Sequence, residues 1–436
     1  MGKYTVTNSN QTLSTAEKVN QSLQKRYRAE KRFRAYGISA IAFGLLCLVV
    51  LFTDIISKGH SAFLQTYIKL EITFDPVEMG LDDPTDARQL AMADFDSLIR
   101  NALKEQFPEA SDRRDRRALY AVVSNGAAFK LREQLKADPE LLNQTVPVWM
   151  LADDDIDTYV KNREDAQGET FAGRISEKQM GWVNTLIEND QVESRFNTTF
   201  FTSGDSREPE QAGILGALMG SLLTLLVTIL LSFPIGVAAA VYLEEYAPQN
   251  KFTDFIEVNI NNLAAVPSII FGLLGLAIFI GFFEMQRSLP LVGGLVLTLM
   301  TLPTIIISSR AAIKAVPPSV RDAALGLGAS KMQMVLHHVL PLAMPGMLTG
   351  AIIGFAQALG ETAPLLMIGM VAFVVDVPGA ITDPATALPV QIFLWSDSPE
   401  RAFVERTSAA IMVLLAFLIS MNTLAIWLRR RLERRW

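Results

Sequence analysis

Six apolar runs, each about 20 residues or longer, recur along this chain of 436 residues. A helix rises ~1.5 Å per residue, so about 20 apolar residues cross the roughly 30 Å of hydrocarbon in a bilayer. The sequence therefore predicts an all-α polytopic membrane protein with six transmembrane helices, some tilted or kinked because their runs exceed one crossing. The predicted spans are 37–57, 214–241, 260–283, 289–308, 346–375 and 409–428.

Charged residues are divided unevenly along the chain. Residues 1–36 contain eight Lys/Arg and two acids, and the last eight residues contain five arginines. The positive-inside rule places both ends in the cytoplasm, as an even number of crossings requires. Residues 58–208 contain 18 Lys/Arg and 28 Asp/Glu, a net charge of 18 − 28 = −10, and are predicted to lie outside.

The segment between the first two spans is long enough to fold by itself. Apolar residues near helical spacing in 86–107 predict a helix, whereas the alternation in "YIKLEITF", 67–74, favours a strand. We therefore expect an α+β extracytoplasmic domain. The only cysteine, Cys47, lies in the first span, so this domain has no disulfide. No A-x-A-like site follows that span, which favours a retained anchor over a signal peptide.

The predicted organisation has five parts. They are a basic cytoplasmic segment at 1–36, transmembrane helix 1 at 37–57, the extracytoplasmic domain at 58–208, a membrane domain at 209–430 with a cytoplasmic loop at 309–343, and a basic cytoplasmic tail at 431–436. The N-terminal segment is interpreted as a solvated flank, with contact to anionic membrane lipid or to a partner as the alternative.

The sequence contains none of the motifs for nucleotide or metal chemistry that were sought. G-x-x-x-x-G-K-[ST], H-E-x-x-H and C-x-x-C are absent, and only three histidines occur. We therefore predict no catalytic residue, metal, bound cofactor or nucleic-acid partner. Four acids could suggest a divalent-metal site, but without the glycine and closing glutamate of a calcium loop they are interpreted as a solvated turn. These acids are Asp153, Asp154, Asp155 and Asp157.

The loop between the fourth and fifth spans is half polar. Pro317 and Pro318 are expected to end one helix, and Ser319 to cap the next. Gly326 and Gly328 permit a sharp turn between two short helices. One apolar face is expected to rest on the membrane domain and to leave the glycine turn exposed to a partner. That face is formed by Met332, Val335, Leu336 and Val339.

This loop resembles that of the membrane-spanning subunits of binding-protein-dependent ABC importers, whose pattern is E-A-A, three residues, G, nine residues, I-x-L-P. Asp322 replaces the glutamate and His338 the isoleucine. The resemblance implies a MetI-like fold in the bacterial inner membrane, a second and probably related permease subunit, an outer binding protein, and docking of the loop on a dimer of ATP-binding subunits that use ATP and Mg. The matching residues are Asp322, Ala323, Ala324, Gly328, Leu340 and Pro341.

Two further stretches resemble the permeases of phosphate importers. They are "ALGETAPLL", 358–366, and "VERTSAAIMVLL", 404–415. The large insertion after the first span is similar to that of a variant of those permeases with an extra outer domain. The resemblance implies import of inorganic phosphate, received from an extracytoplasmic phosphate-binding protein. The alternatives are another oxyanion, such as molybdate or sulfate, and a membrane receptor with an outer sensor domain.

Glu361 lies well inside the fifth predicted span, where an ionised carboxylate facing lipid costs at least a few kcal/mol. No Lys or Arg occurs in 342–400, so Arg310 is the nearest candidate partner. A structural ion pair and a protonated, hydrogen-bonded acid are the alternatives to a gating role. Gly360 and Pro364 are expected to break the helix around Thr362 and so expose backbone amides to an anion.

Overall fold

The computed structural model describes residues 15–81, 86–162, 175–400 and 402–432. The chain forms two units, 1–57 and 58–436. The first unit consists of most of helix α1, Thr15–Gly59. Residues 25–63 form a helical stretch long and apolar enough to cross a membrane. This stretch contains the first predicted span, and residues 1–14 of the predicted basic segment lie outside the described residues.

A three-stranded antiparallel sheet organises the outer domain. Its strands are β1 (Leu64–Thr73), β2 (Thr145–Leu151) and β3 (Val192–Phe196), in the order β2-β1-β3. In the central strand, Ile68 and Leu70 are fully buried, because alternate side chains of a strand point to one face. The predicted strand and the α+β class are confirmed.

Eight helices cover this sheet in the described part of the outer domain. The predicted helix over 86–107 is divided in two, because the Asp94 carboxylate accepts a hydrogen bond from the Ser97 amide (3.1 Å) and starts a new helix there. The helices are α2 (Pro76–Met79), α3 (Ala87–Met92), α4 (Phe95–Gln106), α5 (Arg113–Tyr120), α6 (Ala127–Ala137), α7 (Asp154–Lys161), α8 (Glu177–Glu188) and α9 (Thr198–Thr202).

The remaining helices form the membrane domain. Five helical stretches of the described chain are long and apolar enough to cross a membrane, or six if a pair bent by 102° is one span. That pair consists of α11 and of α12 with the π-helix that continues it, Leu276–Phe282, and it overlaps nearly all of the predicted third span. The helices are α10 (Leu215–Val241), α11 (Lys251–Ala264), α12 (Ser268–Gly275), α13 (Pro290–Lys314), α14 (Pro318–Gly326), α15 (Lys331–Met334), α16 (Leu340–Gly360), α17 (Ala363–Met367), α18 (Leu388–Ser396) and α19 (Ala402–Leu432).

The fifth span differs from the prediction of 346–375. Its helix runs over residues 331–360, through a π-helical turn at Val335–Val339, and ends at Gly360. Pro364 explains the early end, because a proline ring inside a helix clashes with the carbonyl four residues earlier, here that of Gly360. Residues 361–375 are also apolar, and for this reason the span predicted from hydropathy extends beyond this break.

Glycines allow close approach of the central membrane helices. A Cβ atom on Gly236 of α10 would lie 2.6 Å from the Ile305 side chain of α13, and one on Gly294 would lie 2.5 Å from Val227. Small residues bring helices together where lipid supplies no hydrophobic drive for their association. The packing of α10 against α13 therefore depends on glycines that let the two backbones lie close together.

Candidate coupling and translocation sites

The turn at Gly328 is a complete Schellman motif at the end of α14. The Gly328 amide donates to the Leu325 carbonyl (3.0 Å), and the Ala329 amide donates to the Ala324 carbonyl (3.1 Å). Gly328 has φ +87°, a left-handed conformation that is costly for a residue with a Cβ. Gly328 therefore fixes the direction in which the chain leaves α14.

The helix after this turn begins with a capping box. The Gln333 amide donates to Ser330 Oγ (3.3 Å), and the Ser330 amide donates to Gln333 Oε1 (2.9 Å). The predicted cap at Ser319 is wrong, since α14 has Pro317 at its N-cap and no side-chain cap. The second short helix expected after the turn is the first part of the fifth span.

The buried face of this helix differs from the predicted one. Val335 and Val339 are buried as predicted, but the third buried residue is Met334, whereas Met332 is 58% and Leu336 44% exposed. Spacing alone defines a broad apolar stripe, and packing against the end of α13 and against α14 selects the part that is buried.

An exposed apolar surface surrounds the glycine turn. We call it the elbow patch and define it as Leu325, Leu327, Met332 and Leu336, with Leu327 the most accessible at 90% exposure. Isolated exposed apolar residues are ordinary, but four close together in sequence on either side of one turn are a candidate contact surface for a partner.

The structure places the six motif residues at and behind this patch. Asp322, Ala323 and Gly328 are exposed. Ala324 is on the buried side of α14, and Leu340 and Pro341 are half-buried at the start of α16. Their role in docking stays a prediction, because it concerns a contact with another chain.

Arg321 attaches the elbow to the membrane domain. Its Nε and Nη2 donate to Glu245 Oε1 (3.0 and 2.8 Å), and other donors reach the carbonyls of Ile313 (2.9 Å) and Val316 (2.7 Å). The Ile313 carbonyl also accepts from the Val316 amide (3.2 Å), and the Val316 carbonyl lies just beyond the C-terminal end of α13. A guanidinium supplies donors to carbonyls at a helix C-terminus that lack an i+4 partner. The sequence motifs do not single out Arg321, although a basic residue one turn into the helix that follows Pro317 was an available signal.

Arg310 has partners other than the predicted one. Its guanidinium contacts Glu257 Oε1 at 2.5 Å and Glu244 Oε2 at 3.5 Å. Glu257 lies in the middle of α11 and Glu244 in the π-helical turn Tyr242–Tyr246 after α10, so the pairs join α11, α13 and the end of α10. The suggested pair between Arg310 and Glu361 is therefore wrong.

Helix geometry explains why Arg310 does not reach Glu361. Gly350 of α16 packs directly on Ser308 of α13. Glu361 lies 11 residues beyond Gly350, which corresponds to ~16 Å along a helix. The two charges are therefore at different depths of the membrane domain.

The predicted break around Thr362 is present. Glu361 is extended (φ −77°, ψ 123°), and α17 begins directly after Thr362. Pro364 packs on α12, where a Cβ on Gly272 would lie 2.7 Å from its Cα. Glu361 is half-buried and has no ion pair among the residues described. A role for Gly360, Glu361, Thr362 and Pro364 in the substrate pathway stays a prediction.

A cluster of buried charges joins the outer domain to the last membrane helix. We call Asp157, Lys161, Glu210, Glu405 and Arg406 the junction cluster. Lys161 contacts Asp157 at 2.6 Å and Glu405 at 3.7 Å. Arg406 is only 3% exposed and interacts electrostatically with all three acids. Asp157, Glu210 and Arg406 are buried and the other two are half-buried, which is compatible with folding only if the five groups compensate one another.

The acidic run is only partly the solvated turn that the sequence suggested. Asp157 is 6% exposed and accepts a hydrogen bond from the Thr66 amide (2.8 Å), so that interpretation is wrong for this residue. Asp153, Asp154 and Asp155 are half-buried, with carboxylate oxygens within 4.8 Å of one another. The absence of a metal here stays a prediction.

Asp153 makes stability depend on pH. Burial, followed by the charges of Asp154 and Glu210, raises the pKa of Asp153 to about 8 from 3.8. The folded state thus binds the proton more tightly, so its stability falls as pH rises from about 4 to about 8. We expect Asp153→Asn to raise the melting temperature at pH 8.5 and to change it little at pH 4, measured by thermal unfolding in detergent. Identical shifts at both pH values would contradict this.

Comparison with known proteins identifies the family. Residues 232–436 match the family described as binding-protein-dependent transport system inner membrane component, and residues 20–169 match a domain of unknown function (DUF3333). The phosphate transport system permease protein PstA 1 of Mycobacterium tuberculosis is 31% identical over 225 residues, which are 51% of this chain and 72% of that protein.

Two further similarities cover 40% and 51% of the chain. A probable ABC transporter permease protein, YqgI of Bacillus subtilis, is 34% identical over 173 residues, and the chain spans 58% of its length. An inward-facing structure of the MetNI methionine ABC transporter has a TM-score of 0.42 at 21% identity, covering 51% of this chain and 98% of that one. The chain belongs to the binding-protein-dependent transport system inner membrane components, the multi-pass permease subunits of ABC importers.

Proposed function

We propose that this chain is the permease subunit of an importer for inorganic phosphate, with ATP hydrolysed by a separate cytoplasmic subunit. The observation that carries the proposal is the elbow: a glycine-fixed turn with an exposed apolar patch, attached through Arg321 to the ends of two other helices. Such a rigid projection can transmit the movement of a docked motor to the membrane helices. The names of the phosphate transport relatives support phosphate as the cargo.

The proposal includes the remaining members of the complex. They are a second, related permease subunit, a dimer of ATP-binding subunits that use ATP and Mg, and an extracytoplasmic phosphate-binding protein. This chain contributes no ATPase site and binds no cofactor itself. It lies in the bacterial inner membrane with both termini in the cytoplasm, where the elbow meets the nucleotide-driven subunits.

Purification and uptake together test the proposal. We expect the native complex in detergent to retain an ATP-binding subunit, and cells to accumulate labelled phosphate without competition from molybdate or sulfate. Competition by either oxyanion at equal concentration would transfer the assignment to that cargo. Retention of a kinase alone, without an ATP-binding subunit, would instead favour the receptor.

We expect Glu361→Gln to slow phosphate uptake about tenfold, the equivalent of ~1.4 kcal/mol in the transport barrier. The substitution keeps size and hydrogen bonding but removes the charge at the helix break. Glu284→Gln, the same change at an exposed position outside α12 and α13, serves as the control. Unaltered uptake by a correctly inserted Glu361→Gln protein would assign Glu361 to packing.

A further inference from the structure

A cleft in the outer domain is lined mainly by arginine. It has a volume of about 780 Å³. Helix α5 contributes half of the lining residues, because residues three and four apart lie on the same side of a helix. The side chains used here are Arg100, Arg113, Arg116, Arg117, Tyr120 and Asn125.

None of the four arginines forms an ion pair with an acid of the described residues. Asp115, the acid on the same helix, is held by Lys178 at 2.6 Å. Arg116 Nε donates to the Ala110 carbonyl (3.3 Å), and the guanidinium of Arg100 lies 5.9 Å from the centre of the Tyr120 ring. Neither contact neutralises charge, so four cations converge on one concave surface of a domain whose net charge is −10.

We propose that this cleft binds a small anion with two or more phosphoryl groups. Guanidinium groups match the oxygens of a phosphoryl group in pairs, and the Tyr120 hydroxyl adds a neutral donor. The Asn125 amide donates to Glu208 Oε1 (3.5 Å), so this carboxylate lies beside the cleft. The volume lies within the range of about 300–1,000 Å³ usual for small-molecule sites, and is larger than one phosphate needs. A concave cleft can enclose a small anion, whereas the surface of an acidic protein would not fit into it. The shape therefore favours a small anion as the ligand. This site is independent of the transported substrate.

Calorimetric titration of the full chain, purified with its complex in detergent, tests the site. The probes are tripolyphosphate, pyrophosphate, inorganic phosphate and lipid vesicles. The vesicles contain about 30 mol% phosphatidylglycerol and therefore present an anionic membrane surface. We expect saturable binding of tripolyphosphate that weakens with added salt, because ion pairs at an open surface are screened. Arg113→Gln/Arg117→Gln should weaken it at least about tenfold.

Arg114→Gln/Lys136→Gln is the matched control. It removes two positive charges from exposed positions of the same domain that do not line the cleft, and should change the dissociation constant less than about twofold. Unchanged melting temperatures would show that both double variants fold. Absence of saturable binding, an equal loss in the control, or binding of vesicles alone would overturn the proposal. The proposal would also be overturned if an outer binding protein required Arg113 and Arg117 for its attachment to this chain while no small anion bound.

Discussion

Replacement of Gly328 by valine is expected to abolish ATP-dependent uptake while the protein still inserts into the membrane. At φ +87° a Cβ costs ~1–2 kcal/mol, and a β-branched side chain costs more. The Schellman hydrogen bonds to Leu325 and Ala324 are then lost, and Leu327 moves away from the rest of the elbow patch. Movement of the proposed ATP-binding subunits should then no longer reach the membrane helices. Phosphate-dependent ATP hydrolysis by the complex measures this loss of coupling.

Gly326→Ala is the matched control for this prediction. A Cβ on Gly326 meets no atom within 4 Å, and its φ is not positive. Because alanine is a better helix former than glycine, we expect normal uptake and equal or slightly higher stability. Normal uptake by an inserted Gly328→Val protein would contradict the docking role of the elbow, whereas failure of both variants would mean that the region tolerates no change.

Replacement of Arg406 by methionine is expected to lower the free energy of unfolding by ~3–5 kcal/mol. The guanidinium is 3% exposed, and its removal leaves Asp157, Glu210 and Glu405 with less compensating charge in a site that excludes water. The Glu210 carbonyl also loses a donor at 3.5 Å. Thermal or denaturant unfolding of the purified protein measures the loss.

Two variants keep this prediction testable if Arg406→Met does not accumulate. Arg406→Lys retains the charge but not the planar fork of donors, so its loss should be intermediate. Arg430→Met makes the same change at an exposed position of α19 and should cost less than about 1 kcal/mol. Equal stability of the Arg406→Met and Arg430→Met proteins would show that the junction cluster does not join the outer domain to α19.

Local patterns predicted much of the architecture. The strand at 67–74 follows from alternation, because each side chain's face depends only on its place in the strand. The break after Gly360 follows from the covalent geometry of Pro364. Where several local signals overlapped, the prediction was less accurate: the apolar run to residue 375 hid the end of the fifth span. The helix α14 lacks the side-chain cap predicted at Ser319, whereas Ser330 caps the following helix.

The sequence predicted which residues belong to the candidate sites, but it did not predict which of them contact one another. The motif from Asp322 to Pro341 located the elbow, since its spacing is a property of one continuous segment. Spacing did not show that Arg321 binds Glu245 or that Arg310 binds Glu257, because each pair unites helices more than 50 residues apart. The junction cluster was missed for the same reason.

The sequence by itself determined a polytopic helical protein with a polar outer domain and a loop related to ABC importers. Length, hydropathy, charge bias and motif spacing are sums over neighbouring residues, and these decide which segments can enter lipid. Only the tertiary structure decided which charges are paired, which face of the elbow stays exposed and that Asp157 and Arg406 are buried together. Those outcomes depend on which distant segments share a site, because a charge is stable in a buried place only beside the partner that folding brings to it.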